Sequence, residues 1–188
     1  GDDWNRTYAA FRLESERFPG LTAKDGSYSK QEFIDLQRMG LEYGVRIIPE
    51  IDIPAHSLAF AHYKPEIASR KYGMDHLDLY KKETYQFVDS LLDEYLSGDN
   101  PVFIGDLHIG TDEYNKKEAE QYRYFTDRYL KFVEKYGKNV RMWGGLKWLP
   151  GKTPVKAEGV TVNAWSYDWV DPVVSLQDGY KLINTCDT

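Results

Sequence analysis

From residue 29 onward, the apolar positions of the chain switch between a helical period and short continuous runs. Ser29 with Glu32 forms a capping-box pattern, and Phe33, Leu36, Gly40 and Tyr43 share one face of a predicted helix that Gly44 ends as a left-handed cap. The apolar run Val45 to Ile51 predicts a strand, with Pro49 near its end, where a ladder hydrogen bond is expendable. A polar cluster, Asp52-Ile53-Pro54-Ala55-His56, follows at its C-terminal edge. Residues 57–79 read as a long connection holding Pro65 and Gly73, and so as a candidate wall of a site. Val88, Leu91, Leu92, Tyr95 and Leu96 then keep helical spacing, and Ser97-Gly98-Asp99-Asn100-Pro101 ends that helix.

A second strand is predicted over 102–109, followed by a helix capped by Asn115 with Glu118. The face of that helix is Tyr122, Phe125, Tyr129, Phe132, Val133 and Tyr136, and Gly137 stops it. Further strands are predicted at 140–143, 159–165 and 180–184, with a short helix opened by Asp171-Pro172 before the last. Residues 1–28 show no clear period and read as a loop excursion. Strand and helix alternate, which implies parallel pairing and right-handed crossovers. The regular order favours an α/β fold of the (β/α)8 TIM-barrel type, but five strands are legible where a closed barrel needs eight, so an incomplete barrel is expected.

Length and composition narrow this picture. At 188 residues the chain is one domain by size, 1–188, with a substantial core. A net charge of −6 without long single-sign runs argues against nucleic acid or an anionic membrane as partner and suits a neutral ligand better. No apolar run is long enough to span a membrane. Aromatic residues make up 15%, including five Trp and fifteen Tyr, which serve either as core bulk or as platforms for sugar rings. The lone cysteine, Cys186, rules out an internal disulfide and leaves the redox compartment open.

Chemistry concentrates in His108-Ile109-Gly110-Thr111-Asp112-Glu113-Tyr114. Two adjacent carboxylates fall where a strand ends, on the edge that carries catalysis in βα folds. Asp112 and Glu113 reach one pocket only if the strand has ended or twisted there, a departure that Gly110 makes cheap. Strand ends also supply Asp52, His56, His108, Trp143 and Trp165. Carboxylates among tryptophans suit glycoside cleavage. A conventional retaining pair stands about 5–5.5 Å apart across the bond, whereas neighbours in sequence better suit attack by the substrate's own 2-acetamido oxygen. Asp112 would then orient the acetamide while Glu113 acts as acid and then base, with a pKa raised by burial beside Asp112.

Two motifs, Ile-Pro-Glu-Ile-Asp-Ile-Pro-Ala-His at 48–56 and His-Ile-Gly-Thr-Asp-Glu-Tyr at 108–114, resemble the signatures of glycoside hydrolase family 20, the β-N-acetylhexosaminidases and lacto-N-biosidases. The resemblance covers roughly 28–188 and implies a retaining, acetamido-assisted glycosidase that removes terminal β-linked N-acetylhexosamine, or a disaccharide containing it, on a (β/α)8 barrel. It implies Asp112 and Glu113 as the catalytic pair, Asp52 and His56 as a supporting pair, and Trp143 and Trp165 as walls of the acetamide pocket. Ala55 and Thr111 stand where glycine is common in the family, and the second motif is similar to that of bacterial members. The family's sugar-binding arginine, the acidic residue after its second strand and its acetamide-holding tyrosine find no counterpart here, so the chain reads as the middle of such a domain, and its own activity is an open expectation.

His108 is read as a supporting residue, and Trp148 and Trp169 either extend a sugar surface or pack within loops. No cofactor or metal is expected. A zinc hydrolase using His56, His108 and Asp112 lacks tight ligand spacing. The alternative function is a carbohydrate-binding remnant without turnover. An extracellular or cell-surface location is implied by the resemblance alone, and open barrel edges imply self-association.

Overall fold

The structure, a computed structural model, describes residues 9–186. The first eight residues of the expected loop excursion, and Asp187 and Thr188, lie outside the described residues. The chain divides into two compact units: residues 1–49 with 56–105, and residues 50–55 with 106–188.

The first unit holds helix α1 (Lys30–Glu42), helix α2 (Leu58–Tyr63), a two-stranded antiparallel ribbon of β2 (Ala68–Ser69) and β3 (Gly73–Leu77), and helix α3 (Lys82–Leu96). Ser29 caps α1 through the expected capping box, its side chain accepting from the Glu32 N–H while Glu32 reaches back. The chain turns out of α1 at Gly44 with φ +72°, as the pattern predicts. Tyr43, however, is 80% exposed, and the buried residue of α1 is Gln37. Residues 57–79, expected as a long connection, carry α2, a 3-10 turn and the ribbon. The helical spacing of α3 translates directly into packing, with Val88, Leu91, Leu92, Tyr95 and Leu96 all buried.

The loop before α1 is tied down by one carboxylate. Glu94 of α3 accepts from the Ser15 hydroxyl at 2.7 Å and the Glu16 N–H at 2.6 Å, and pairs with Lys30 at 2.9 Å. Burial pushes the Glu94 carboxyl up, but these donors outweigh it and hold its pKa below the usual value.

Both strands expected from continuous apolar runs are shorter than the runs. Val45 donates its N–H to the Gly40 carbonyl and closes α1, and Pro49 has no N–H, so pairing begins at Glu50. Residues 102–104 are claimed by the first unit: Gln37 Nε2 donates to Val102 O at 2.8 Å, Gln37 Oε1 accepts from the Ile104 N–H at 3.2 Å, and the Phe103 N–H bonds Tyr95 O at 3.0 Å. With their backbone groups bound there, they stay out of the ladder, which starts at Leu107.

The second unit is a five-stranded parallel sheet of β1 (Glu50–Ile53), β4 (Leu107–Gly110), β5 (Val140–Trp143), β6 (Val160–Ala164) and β7 (Lys181–Asn184), in that order. Helix α4 (Ala119–Glu134) joins β4 to β5, and α5 (Pro172–Gln177), capped by Asp171, joins β6 to β7. Parallel strands neighbouring one another in chain order form the arc of a (β/α)8 barrel rather than a doubly wound sheet. Alternation gives the arc two unlike faces. Ile51, Ile53, Leu107, Ile109, Val140, Met142, Val160, Val162 and Ala164 are all buried and form one. Glu50, Asp52, His108, Arg141, Trp143, Thr161 and Asn163 occupy the alternate positions.

Candidate active site

The exit from β4 sets where the two carboxylates stand. Gly110 and Thr111 both have φ +70°, so the strand stops and the chain leaves the sheet edge at the C-terminal end. Glycine adopts this conformation freely; a β-branched threonine does so at a cost of about 1–3 kcal/mol. Tyr122 of α4, itself buried, donates its hydroxyl to the Thr111 carbonyl, and Thr111 Oγ1 donates to Gly110 O at 2.5 Å. Burial pushes the Tyr122 hydroxyl pKa well above its usual value, which keeps it a neutral donor.

Gly110 is required for a second reason. A Cβ there would lie 2.8 Å from the Asp52 Cα, so β1 approaches more closely than any other residue would allow. Gly145 plays a similar part beyond β5, where a Cβ would stand 2.8 Å from the Tyr122 hydroxyl and 3.1 Å from the Asp112 carbonyl. The bend carrying Asp112 and Glu113 is therefore set by Gly110, Thr111, Tyr122 and Gly145 together. Both acidic side chains are half-buried.

Beside the bend lies a polar cluster on the second face of the sheet. His108 is 5% exposed, and its Nδ1 accepts the Gly110 N–H at 3.1 Å, which puts the ring proton of the neutral imidazole on Nε2. Burial lowers the His108 pKa, Arg141 lowers it further, and the charges of Glu50 and Asp112 oppose them. The Trp143 ring stands 4.9 Å from the imidazole at 57°, and its indole N–H donates to Glu50 Oε1 at 2.6 Å. Since Nδ1 is engaged, this ring offers a metal only Nε2.

Trp165 is held differently. Its Nε1 donates to the Gly144 carbonyl at 2.8 Å, and its ring stands 5.4 Å from Trp169, which in turn stands 4.9 Å from Trp148. Lys116 Nζ sits 3.2 Å over the Trp148 ring. Trp148 and Trp169 are thus packed in a chain of rings beside Trp165, with Lys116 over the Trp148 ring.

Of the residues singled out by sequence, Asp52, Asp112, Glu113, Trp143 and Trp165 lie in the sheet unit at or next to the C-terminal ends of β1, β4, β5 and β6, and His108 lies in the same unit at the second position of β4. His56, exposed and with φ +53°, falls in the first unit. The sequence reading passed over Glu50, Tyr122 and Gly145. Glu50 had a usable signal, because it precedes Asp52 by two residues on a strand and so shares its face. A cavity of about 340 Å³, lined by Met142, Val162, Val170 and Val174 with Arg123 and Tyr180, lies on the other side of the sheet. Met142 and Val162 alternate with Trp143 and Asn163, so that cavity is apart from the polar cluster.

This arrangement defines an α/β protein whose acidic pair stands on the catalytic edge of a barrel-type sheet. The chain belongs to glycosyl hydrolase family 20: the pattern of that family's catalytic domain matches residues 7–122. A β-hexosaminidase of Arthroderma benhamiae is 29% identical over 209 residues, covering 91% of this chain and 34% of that protein. A lacto-N-biosidase of Bifidobacterium bifidum is 25% identical over 184 residues, covering 84% of this chain and 16% of that protein. Among solved structures, the family 20 β-N-acetylhexosaminidase of Streptomyces coelicolor superposes with a TM-score of 0.73 at 27% identity, over 93% of this chain and 39% of that one. The chain spans at most about a third of the length of the curated relatives it matches.

Proposed function

We propose that the protein carrying this chain is a retaining glycosidase that removes terminal β-linked N-acetylhexosamine, or a disaccharide containing it, with help from the substrate's acetamido group. The observation that carries the reading is the bend after β4, which takes Asp112 and Glu113 off the sheet edge together. In the first step the acetamido carbonyl oxygen bonds to C1 as the glycosidic C1–O bond breaks, and Glu113 gives its proton to the leaving oxygen. Asp112 orients the acetamide and stabilises the positive charge that develops on it. Water then attacks C1, Glu113 takes its proton, and the acetamide re-forms. Trp143 and Trp165 are the proposed walls for the acetamide, with Asp52 and His56 as the supporting pair.

The test is turnover of an aryl β-N-acetylglucosaminide by the full-length protein. Glu113→Gln is expected to lower kcat by about 100-fold or more, as loss of a general acid does; undiminished turnover would overturn the assignment. An N-acetylglucosamine thiazoline, which mimics the cyclised intermediate, is expected to bind tightly. Thiazoline binding by a wild-type protein without turnover would instead mark a carbohydrate-binding remnant.

With this reading we propose an extracellular or cell-surface location, to be tested by fractionation of the source cells. No helix among the described residues is long and apolar enough to cross a membrane. We also propose self-association of the isolated chain through β1 and β7, the terminal strands of the sheet, which carry no further strand on their outer sides among the described residues. Sedimentation of dilute and concentrated samples tests this, and a concentration-independent monomer would overturn it.

A further inference from the structure

Glu50 is the first residue of β1 and lies outside the Asp-x-Pro-x-His segment that drew attention in the sequence. Its side chain is 38% exposed, yet its Oε1 accepts the Trp143 indole N–H at 2.6 Å and stands 3.5 Å from His108 Nδ1. The strand register explains the reach. Glu50 pairs with His108 and His108 with Arg141, and Trp143 lies two residues beyond Arg141 on the same face. The indole therefore leans back across β4, and the bond ties residues 93 positions apart in the chain.

An indole has one donor and two flat faces. Fixing the donor in the ring plane while His108 stands against the ring leaves Trp143 little freedom about its two side-chain torsions. A carboxylate acceptor makes the bond charge-assisted, roughly twice as strong as a neutral one. Trp165 gets the same service from the Gly144 carbonyl, a backbone group that no substitution removes. Of these two indoles, Trp143 is the one that depends on a side chain for it.

We propose that Glu50 is a positioning residue for glycoside cleavage, its carboxylate fixing the plane of Trp143 so that the indole presents a preset wall to the acetamide oriented by Asp112. This rests on the function proposed above. The acetamido oxygen must be folded beneath C1 for ring closure, and that cramped arrangement is reached only on the way to the transition state. A loosened wall is then felt in the chemical step more than in initial binding.

The contact is tested first in the full-length protein labelled with 15N-tryptophan, the Trp143 indole signal being the one lost in Trp143→Phe. It is expected far downfield and protected from solvent exchange, and Glu50→Ala is expected to move it upfield and expose it while the Trp165 signal stays. An unmoved Trp143 signal overturns the proposal whatever the activity data show. In the full-length protein, Glu50→Ala is expected to lower kcat about 10- to 100-fold. KM should change by less than about twofold, since ground-state binding is little affected. Glu50→Gln, which keeps a neutral acceptor, is expected to recover much of the loss. Thiazoline affinity should fall with kcat, while affinity for N-acetylglucosamine itself falls less.

The two readings fail separately. If Glu113→Gln is inactive and Glu50→Ala keeps wild-type kcat, the positioning role alone is overturned. If the wild-type protein shows no turnover that depends on Glu113, the proposed function falls and the positioning role falls with it.

Discussion

The two faces of the five-stranded sheet are built on opposite terms. One is continuous and apolar, with Leu107, Ile109 and Val160 at 0% exposure and Val140, Met142 and Val162 nearly as buried. The other carries Glu50, Asp52, His108, Arg141, Trp143 and Asn163, and among them His108 Nε2, Arg141 Nε and Asn163 Oδ1 are buried without a hydrogen-bond partner. Buried polar atoms left unpaired cost free energy, so these three atoms do not stabilise the sheet as the apolar face does. The contrast separates the part of the sheet that makes the fold from the part that is free to do chemistry.

The largest effect should follow from breaking the apolar face. Leu107→Ala removes a fully buried side chain at the start of β4, with an expected loss of about 3 kcal/mol in urea unfolding. Its neighbour in sequence belongs to the other face. His108→Phe keeps a flat ring against Trp143 and discards the unpaired Nε2, but it also removes the acceptor of the buried Gly110 N–H, so a net loss of about 1 kcal/mol is expected at neutral pH, well below that of Leu107→Ala. If His108→Phe destabilises as much as Leu107→Ala, the division between the faces is wrong.

The same pair predicts a pH effect of definite sign. The folded-state pKa of His108 is lowered from about 6.5, chiefly by burial, so the unfolded chain binds the proton more readily than the folded one. The contribution is fully present above pH about 6.5 and is lost as pH falls through that value toward the lower folded pKa. Wild-type stability should drop over that interval, and His108→Phe should flatten the drop. An unchanged slope would show that His108 is not the group responsible.

What the sequence made legible follows the same division. The apolar face and the helices α3 and α4 repeat periods that only packing explains, and they could be read directly. The place of Asp112 and Glu113 just beyond β4 was legible because it lies in local order, two acids after a strand. The ends of β1 and β4 were not, because Val45 and residues 102–104 spend their backbone hydrogen bonds on α1, Gln37 and Tyr95, partners that no local pattern announces. Glu50, Tyr122 and Gly145 were missed for a related reason: each acts through a residue distant in the chain, namely Trp143, Thr111 and the Asp112 carbonyl. Adjacency in space across parallel strands leaves little trace in a single sequence.

The smallest effect expected is also the most discriminating, because it should carry the opposite sign from a usual core substitution. Asn163 sits on β6 between the buried Val162 and Ala164, and its Oδ1 is buried without a partner. Asn163→Val removes that acceptor and supplies a β-branched side chain suited to a strand. Stability should rise slightly, by about 0.5–1 kcal/mol, since the unpaired acceptor no longer has to be desolvated. Turnover should fall if the polar face serves the substrate, because Asn163 pairs in register with Trp143, the proposed acetamide wall. A variant that is less stable than wild type would mean that Asn163 is satisfied in solution by water and that the polar face contributes to folding after all; a more stable and less active one would place Asn163 among the groups kept for function at the expense of the fold.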